Sequence, residues 1–160
     1  MNGFDLSAFY GQFREETEEN LRALTDGLLA LEAQPSDRPA LDGIFRAAHT
    51  IKGSARMLGQ NEAGRLAHAM ETVLGQLRSG ALTMTPSLND ALLASADVLQ
   101  ALAARVGDPP PTDERVDPLI TWLDGFDAGP SNMLPTPASP PAAAAPAAQP
   151  PAPAPADQPA

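Results

Sequence analysis

From about Leu6 to Glu32, the apolar residues Phe9, Phe13, Leu21, Leu24, Leu28 and Leu31 recur at helical spacing. Arg14, Glu15, Glu18, Glu19 and Arg22 occupy the opposite, wet face. A second helix is predicted after "PSDRP", where Ser36 or Asp37 can cap and Pro39 suits the first turn. Its apolar stripe is Leu41, Ile44, Phe45, Ala48, Ile51, Ala55 and Leu58, and Gly59 fits its C-terminal end. A third helix spans about Glu62 to Ser79 and stops at Gly80, with Ala63, Leu66, Ala67, Met70, Val73, Leu74 and Leu77 facing inward. A fourth begins at Thr85 and Pro86 and is expected to end at Gly107. A fifth follows "PPPTDE" and carries Val116, Leu119, Ile120 and Leu123. Alternating β-branched runs are absent, so no strand is predicted. The fold class is therefore all-α. Short connections favour antiparallel neighbours, giving a four-helix bundle with a fifth, C-terminal helix beside it.

Composition divides the chain at about Ala128. All ten basic residues and 19 of the 20 acidic ones precede that point. The remainder is almost entirely Pro and Ala, a composition unable to bury enough apolar surface to offset its ordering entropy. Residues 1–127 are therefore assigned to a helical domain and 128–160 to a disordered, extended Pro/Ala-rich linker. A linker with nothing after it suits a fragment of a longer protein better than a terminal tether. The net charge of −10 argues against a nucleic-acid partner, which would need a basic face for phosphates. Without cysteine, disulfides and thiolate metal sites are excluded. Neither a signal peptide nor an apolar run of membrane-spanning length is present, so a cytoplasmic location and no membrane partner are expected.

Against this acidic background, "AAHTIKGSARMLG" gathers cations around one of only two histidines. At roughly 100° per residue, His49 points about 130° from the centre of the second helix's core stripe and so toward solvent. Arg46, Gly53 and Arg56 share its face, while Lys52, the only lysine, lies toward the core boundary. An exposed neutral imidazole is a nucleophile at physiological pH. Gly53 would leave open surface beside it for another protein's active site, although close helix packing would also explain a glycine there. Cations within a turn or two would stabilise an anion attached to the ring, most naturally a phosphoryl group. On the third helix, Gly64, His68, Glu71 and Gly75 form a stripe apart from the core. If that stripe borders His49, Glu71 could accept from Nδ1–H and leave Nε2 free to attack. Taken alone, His68 and Glu71 read equally as a solvated i,i+3 pair. A di-iron bundle would need Glu-x-x-His twice with further glutamates, whereas this chain has one His-x-x-Glu, in reverse order. No metal site is expected.

"HTIKGSARMLG" followed by "LAHAMETVLGQL" resembles the histidine phosphotransfer (Hpt) domain, and more narrowly the N-terminal domain of CheA-type chemotaxis histidine kinases. The opening "FREETEENLRALTDGLLALE" is similar to the first helix of that branch. The resemblance implies that His49 is phosphorylated, that Lys52 assists transfer and that Gly53 is the small residue beside the target. It further implies that Glu71 hydrogen-bonds the histidine and that His68 supports the same network. Arg46 and Arg56 are added from the residue reading as phosphate-supporting cations. The implied partners are the ATP-binding domain of a protein-histidine kinase and the receiver domain of a response regulator, whose aspartate takes the phosphoryl group. No cofactor is expected in this domain, since ATP and Mg²⁺ would be used by the partner kinase domain. A helical scaffold module that is not phosphorylated, and a stand-alone phosphorelay protein, are the alternative readings.

Overall fold

The computed structural model describes residues 6–126, and the predicted linker lies outside them. Among these described residues five helices follow one another: α1 Ser7–Ala33, α2 Arg38–Met57, α3 Asn61–Ser79, α4 Pro86–Ala104 and α5 Val116–Asp124. Among the described residues there is no strand, and no helix is long and apolar enough to cross a membrane.

The ends of the helices follow local chemistry. The Asp37 carboxylate accepts from the backbone N–H of Ala40 at 3.2 Å, and the Thr85 hydroxyl accepts from Leu88 N–H at 3.2 Å. Each cap satisfies an otherwise orphan donor of the first turn, and each helix carries a proline where a missing N–H costs nothing. Gly59 and Gly80, at φ +66° and +81°, take the left-handed conformation that ends α2 and α3. α4 stops at Ala104, short of the expected Gly107. Its last turn closes with Arg105 N–H on the Leu102 carbonyl and Val106 N–H on that of Ala103.

α1 to α4 surround one core, with α1 against α2 and α4, and α3 against α2, α4 and α5. Leu24, Leu28, Leu31, Ile44, Ile51, Leu66, Met70, Leu74, Leu88, Leu92, Leu99 and Leu102 are its largest fully buried side chains. Antiparallel register is visible where Ser54 on α2 donates to Glu16 on α1, and where Asn89 on α4 donates to Glu32 on α1 at 2.7 Å. That register explains one departure from the predicted core. With Glu16 level with Ser54, Phe13 is level with the last turn of α2 and is buried, whereas Phe9 falls a turn beyond its end. Phe9 is 44% exposed. Thr17 fills the stripe instead. α1 and α2 approach closely at Gly27, where a Cβ would collide with Ile44 Cγ2.

Candidate functional site

α2 and α3 hold six of the ten basic residues against three acidic ones, the reverse of α1, with two basic against six acidic. The basic residues of an acidic chain are thus concentrated on α2 and α3, the helices that also carry the two histidines.

Because α2 and α3 run antiparallel, residues ascending one helix meet residues descending the other. His49 and Lys52 on α2 both meet Glu71 on α3. His49 Nδ1 stands 3.3 Å from Glu71 Oε1, and Lys52 Nζ lies 2.6 Å from Glu71 Oε2. Each carboxylate oxygen therefore has one partner. The Lys52 and Glu71 side chains are 16% exposed, whereas the His49 side chain is 63% exposed. Burial, the largest single influence on Glu71, pushes its pKa up. The hydrogen bonds from Lys52 and His49, with their charges, outweigh it and hold the carboxyl below its ordinary value. Glu71 is an anion at neutral pH, and Lys52 anchors it where it faces the imidazole.

The geometry selects a tautomer. With Nδ1 carrying the proton that Glu71 accepts, Nε2 is left with its lone pair. The rest of α2 keeps that edge accessible. A Cβ added to Gly53, one turn on, would meet nothing within 4 Å, so this glycine is not used for close helix packing. Arg46 is exposed on the same face and has no ion pair among the described residues.

The second histidine has different company. Arg56 Nη2 approaches His68 Nδ1 at 2.9 Å, and the stem of Arg56 crosses Gly64, where a Cβ would stand 3.3 Å from its Cγ. Arginine can only donate, so Nδ1 of His68 is the acceptor and Nε2 carries the hydrogen. His68 is thus drawn to Arg56 and not to the His49–Glu71–Lys52 cluster with which the sequence grouped it. A third feature, not singled out from the sequence, had a signal there in the i,i+4 spacing of Phe45 and His49. The Phe45 ring lies beside His49, with centroids 6.3 Å apart and planes 16° from parallel, and the Arg78 guanidinium sits 4.9 Å over that ring.

Comparison with known proteins gives the architecture a family. The model of the Hpt domain family matches residues 8–108. The chain is 35% identical over 114 residues to the chemotaxis protein CheA of Treponema pallidum, a match covering 71% of this chain and 14% of that protein. It therefore spans only about a seventh of that relative's length. The CheA phosphotransferase domain from Thermotoga maritima is 33% identical with a TM-score of 0.61, over 65% of this chain and 98% of that one. The phosphorylated P1 domain of CheA3 from R. sphaeroides, solved in complex with CheY6, is 26% identical with a TM-score of 0.66, over 73% of this chain and 93% of that one. A five-helix bundle with a solvent-facing, carboxylate-held histidine, matched by the family model over most of its folded length, belongs to the Hpt domain family and is of the CheA type.

Proposed function

We propose that this chain is the phosphoryl carrier of a two-component signalling system. His49 takes a phosphoryl group from an ATP-dependent histidine kinase domain and passes it to an aspartate on a response regulator receiver domain, in chemotaxis or related motility signalling. One observation carries this reading: Glu71 holds the Nδ1 edge of a histidine whose other edge stands in solvent on a cation-rich face.

The chemistry follows from that edge. The Nε2 lone pair attacks the γ-phosphorus of ATP presented by the kinase domain. An N–P bond forms, the bond to the bridging oxygen breaks, and ADP leaves with the electron pair. The ring gains positive charge as the bond forms, and the Glu71 carboxylate facing Nδ1–H stabilises it. Lys52 holds Glu71 in place and adds a charge close to the incoming phosphoryl oxygens. Arg46, and Arg56 when it leaves His68, supply further positive charge on the same face. Gly53 gives a partner's active site room to close over the ring. In the second transfer a carboxylate oxygen of the receiver attacks phosphorus, the N–P bond breaks and its electron pair returns to Nε2. The chain needs no nucleotide site of its own for either step, with ATP and Mg²⁺ belonging to the kinase domain. The complex of the related phosphorylated P1 domain with CheY6 supports a receiver as the second partner.

The test is reconstitution. The 160-residue chain, a CheA-type kinase domain and radiolabelled ATP should give acid-labile, base-stable label on this chain. Adding a receiver domain should then discharge it. A chain that acquires no label, or label that no receiver removes, overturns the reading.

A further inference from the structure

The 3.3 Å contact of Nδ1 with Glu71 Oε1 holds one edge of the His49 imidazole and is by itself a single-point restraint. The surroundings contain a second restraint. Phe45 precedes His49 by one turn of α2, and its ring lies within the range of aromatic contact, 6.3 Å between centroids and 16° from parallel. Phe45 is itself held. The guanidinium of Arg78, from the last turn of α3, lies 4.9 Å over its centroid. Arg78 Nε is tied to Asp42 Oδ1 at 2.7 Å, a turn further back along α2. α3 packs against the ring here, since a Cβ at Gly75 would stand 3.5 Å from Phe45 Cε2, an ordinary van der Waals contact. Asp42, Phe45 and His49 therefore form a row on α2, gripped from α3 by one arginine.

We propose that Phe45, held by Arg78 and Asp42, is a positioning residue for His49. It limits rotation of the imidazole so that Nδ1–H stays on Glu71 and the Nε2 lone pair points outward. This rests on the reading of His49 as the phosphoryl acceptor, but its structural half does not need phosphate. The row predicts that damage at Phe45 reaches the chemical step and not the docking of a partner.

The experiment uses the full chain with Phe45→Leu, Phe45→Tyr, Arg78→Gln and Arg78→Lys. Ring ¹H–¹⁵N spectra of His49 report its tautomer balance, and saturation kinetics with a kinase domain and ATP separate kcat from KM. Phe45→Leu should move His49 from one dominant tautomer to a mixture. It should lower kcat by about tenfold, near the upper end of what an aromatic pair contributes, with KM nearly unchanged. Phe45→Tyr should restore both. Arg78→Gln, at an exposed side chain, should give the same shift in miniature, about two- to fivefold, and Arg78→Lys should recover part of it. If Phe45→Leu fails to fold, the Arg78 pair decides. An unchanged tautomer balance with unchanged kcat overturns the proposal, as does a rise in KM alone. If the wild-type chain takes no phosphate, the function is refuted, and the ring spectra still decide the positioning.

Discussion

The two histidines stand at neighbouring levels of the same seam, each reaching across it to one charged side chain. His49 meets a carboxylate and His68 a guanidinium. That difference in sign assigns opposite tautomers. A carboxylate accepts, so His49 keeps its proton on Nδ1 and offers Nε2 as a base and nucleophile. A guanidinium donates, so His68 spends its Nδ1 lone pair on Arg56 and presents N–H at the other nitrogen. Two exposed imidazoles on one bundle thus differ in tautomer because of what lies opposite, and exposure alone would not separate them. The lesson extends to the cations. Lys52 holds the carboxylate that faces His49, whereas Arg56 is engaged with His68.

The largest test of this contrast replaces the two rings in turn. His49→Gln should lose all detectable acid-labile phosphate with a kinase domain and ATP, while His68→Gln keeps measurable labelling. Equal losses from both would erase the distinction. Next comes the carboxylate. Glu71→Ala should slow phosphorylation by about 10²- to 10⁴-fold, the span over which an orienting or general-base group acts. Its circular dichroism and melting temperature should stay near wild type, because Glu71 lies off the core stripe of α3. A collapse in melting temperature would recast Glu71 as structural.

Smaller effects sharpen the comparison. Arg56→Ala should change the phosphorylation rate by about fivefold at most, as suits an exposed charge. The same variant should shift the His68 ring resonances while leaving those of His49 in place. Movement of both sets would mean that the two sites are coupled. The smallest effect is on stability against pH. Because its folded pKa lies below the ordinary carboxylate value, Glu71 contributes stability in full above that ordinary value. The contribution fades as pH falls through the lower, folded value. Urea midpoints measured from neutral pH into that acid range should fall less steeply for Glu71→Gln than for wild type. Parallel curves would show that the Lys52–Glu71 pair adds nothing to the fold.

Much of this was legible before any coordinates. Caps and glycines marked the helices because Asp37, Thr85, Gly59 and Gly80 act within one turn of chain. The exposure of His49 followed from the period of α2 alone. What periodicity cannot supply is the register between helices. The sequence grouped His68 with Glu71 because they share a face of α3. Yet antiparallel packing sets Arg56 opposite His68 and His49 opposite Glu71. Phe9 kept the period of the α1 core but lies past the end of α2, a matter of relative helix length. Phe45 falls on the core stripe of α2 one turn before His49, and what the sequence alone does not show is the Arg78 guanidinium laid over its ring from the neighbouring helix.

The most direct measurement is the ring nitrogen spectrum of the phosphorylated wild-type chain, labelled with ¹⁵N-histidine. Phosphoryl attachment at Nε2 of His49, with Nδ1–H retained and the His68 signals unmoved, is the predicted result. Phosphorus on Nδ1 of His49, or on His68, would contradict the assignment of nucleophile and tautomer on which the account rests.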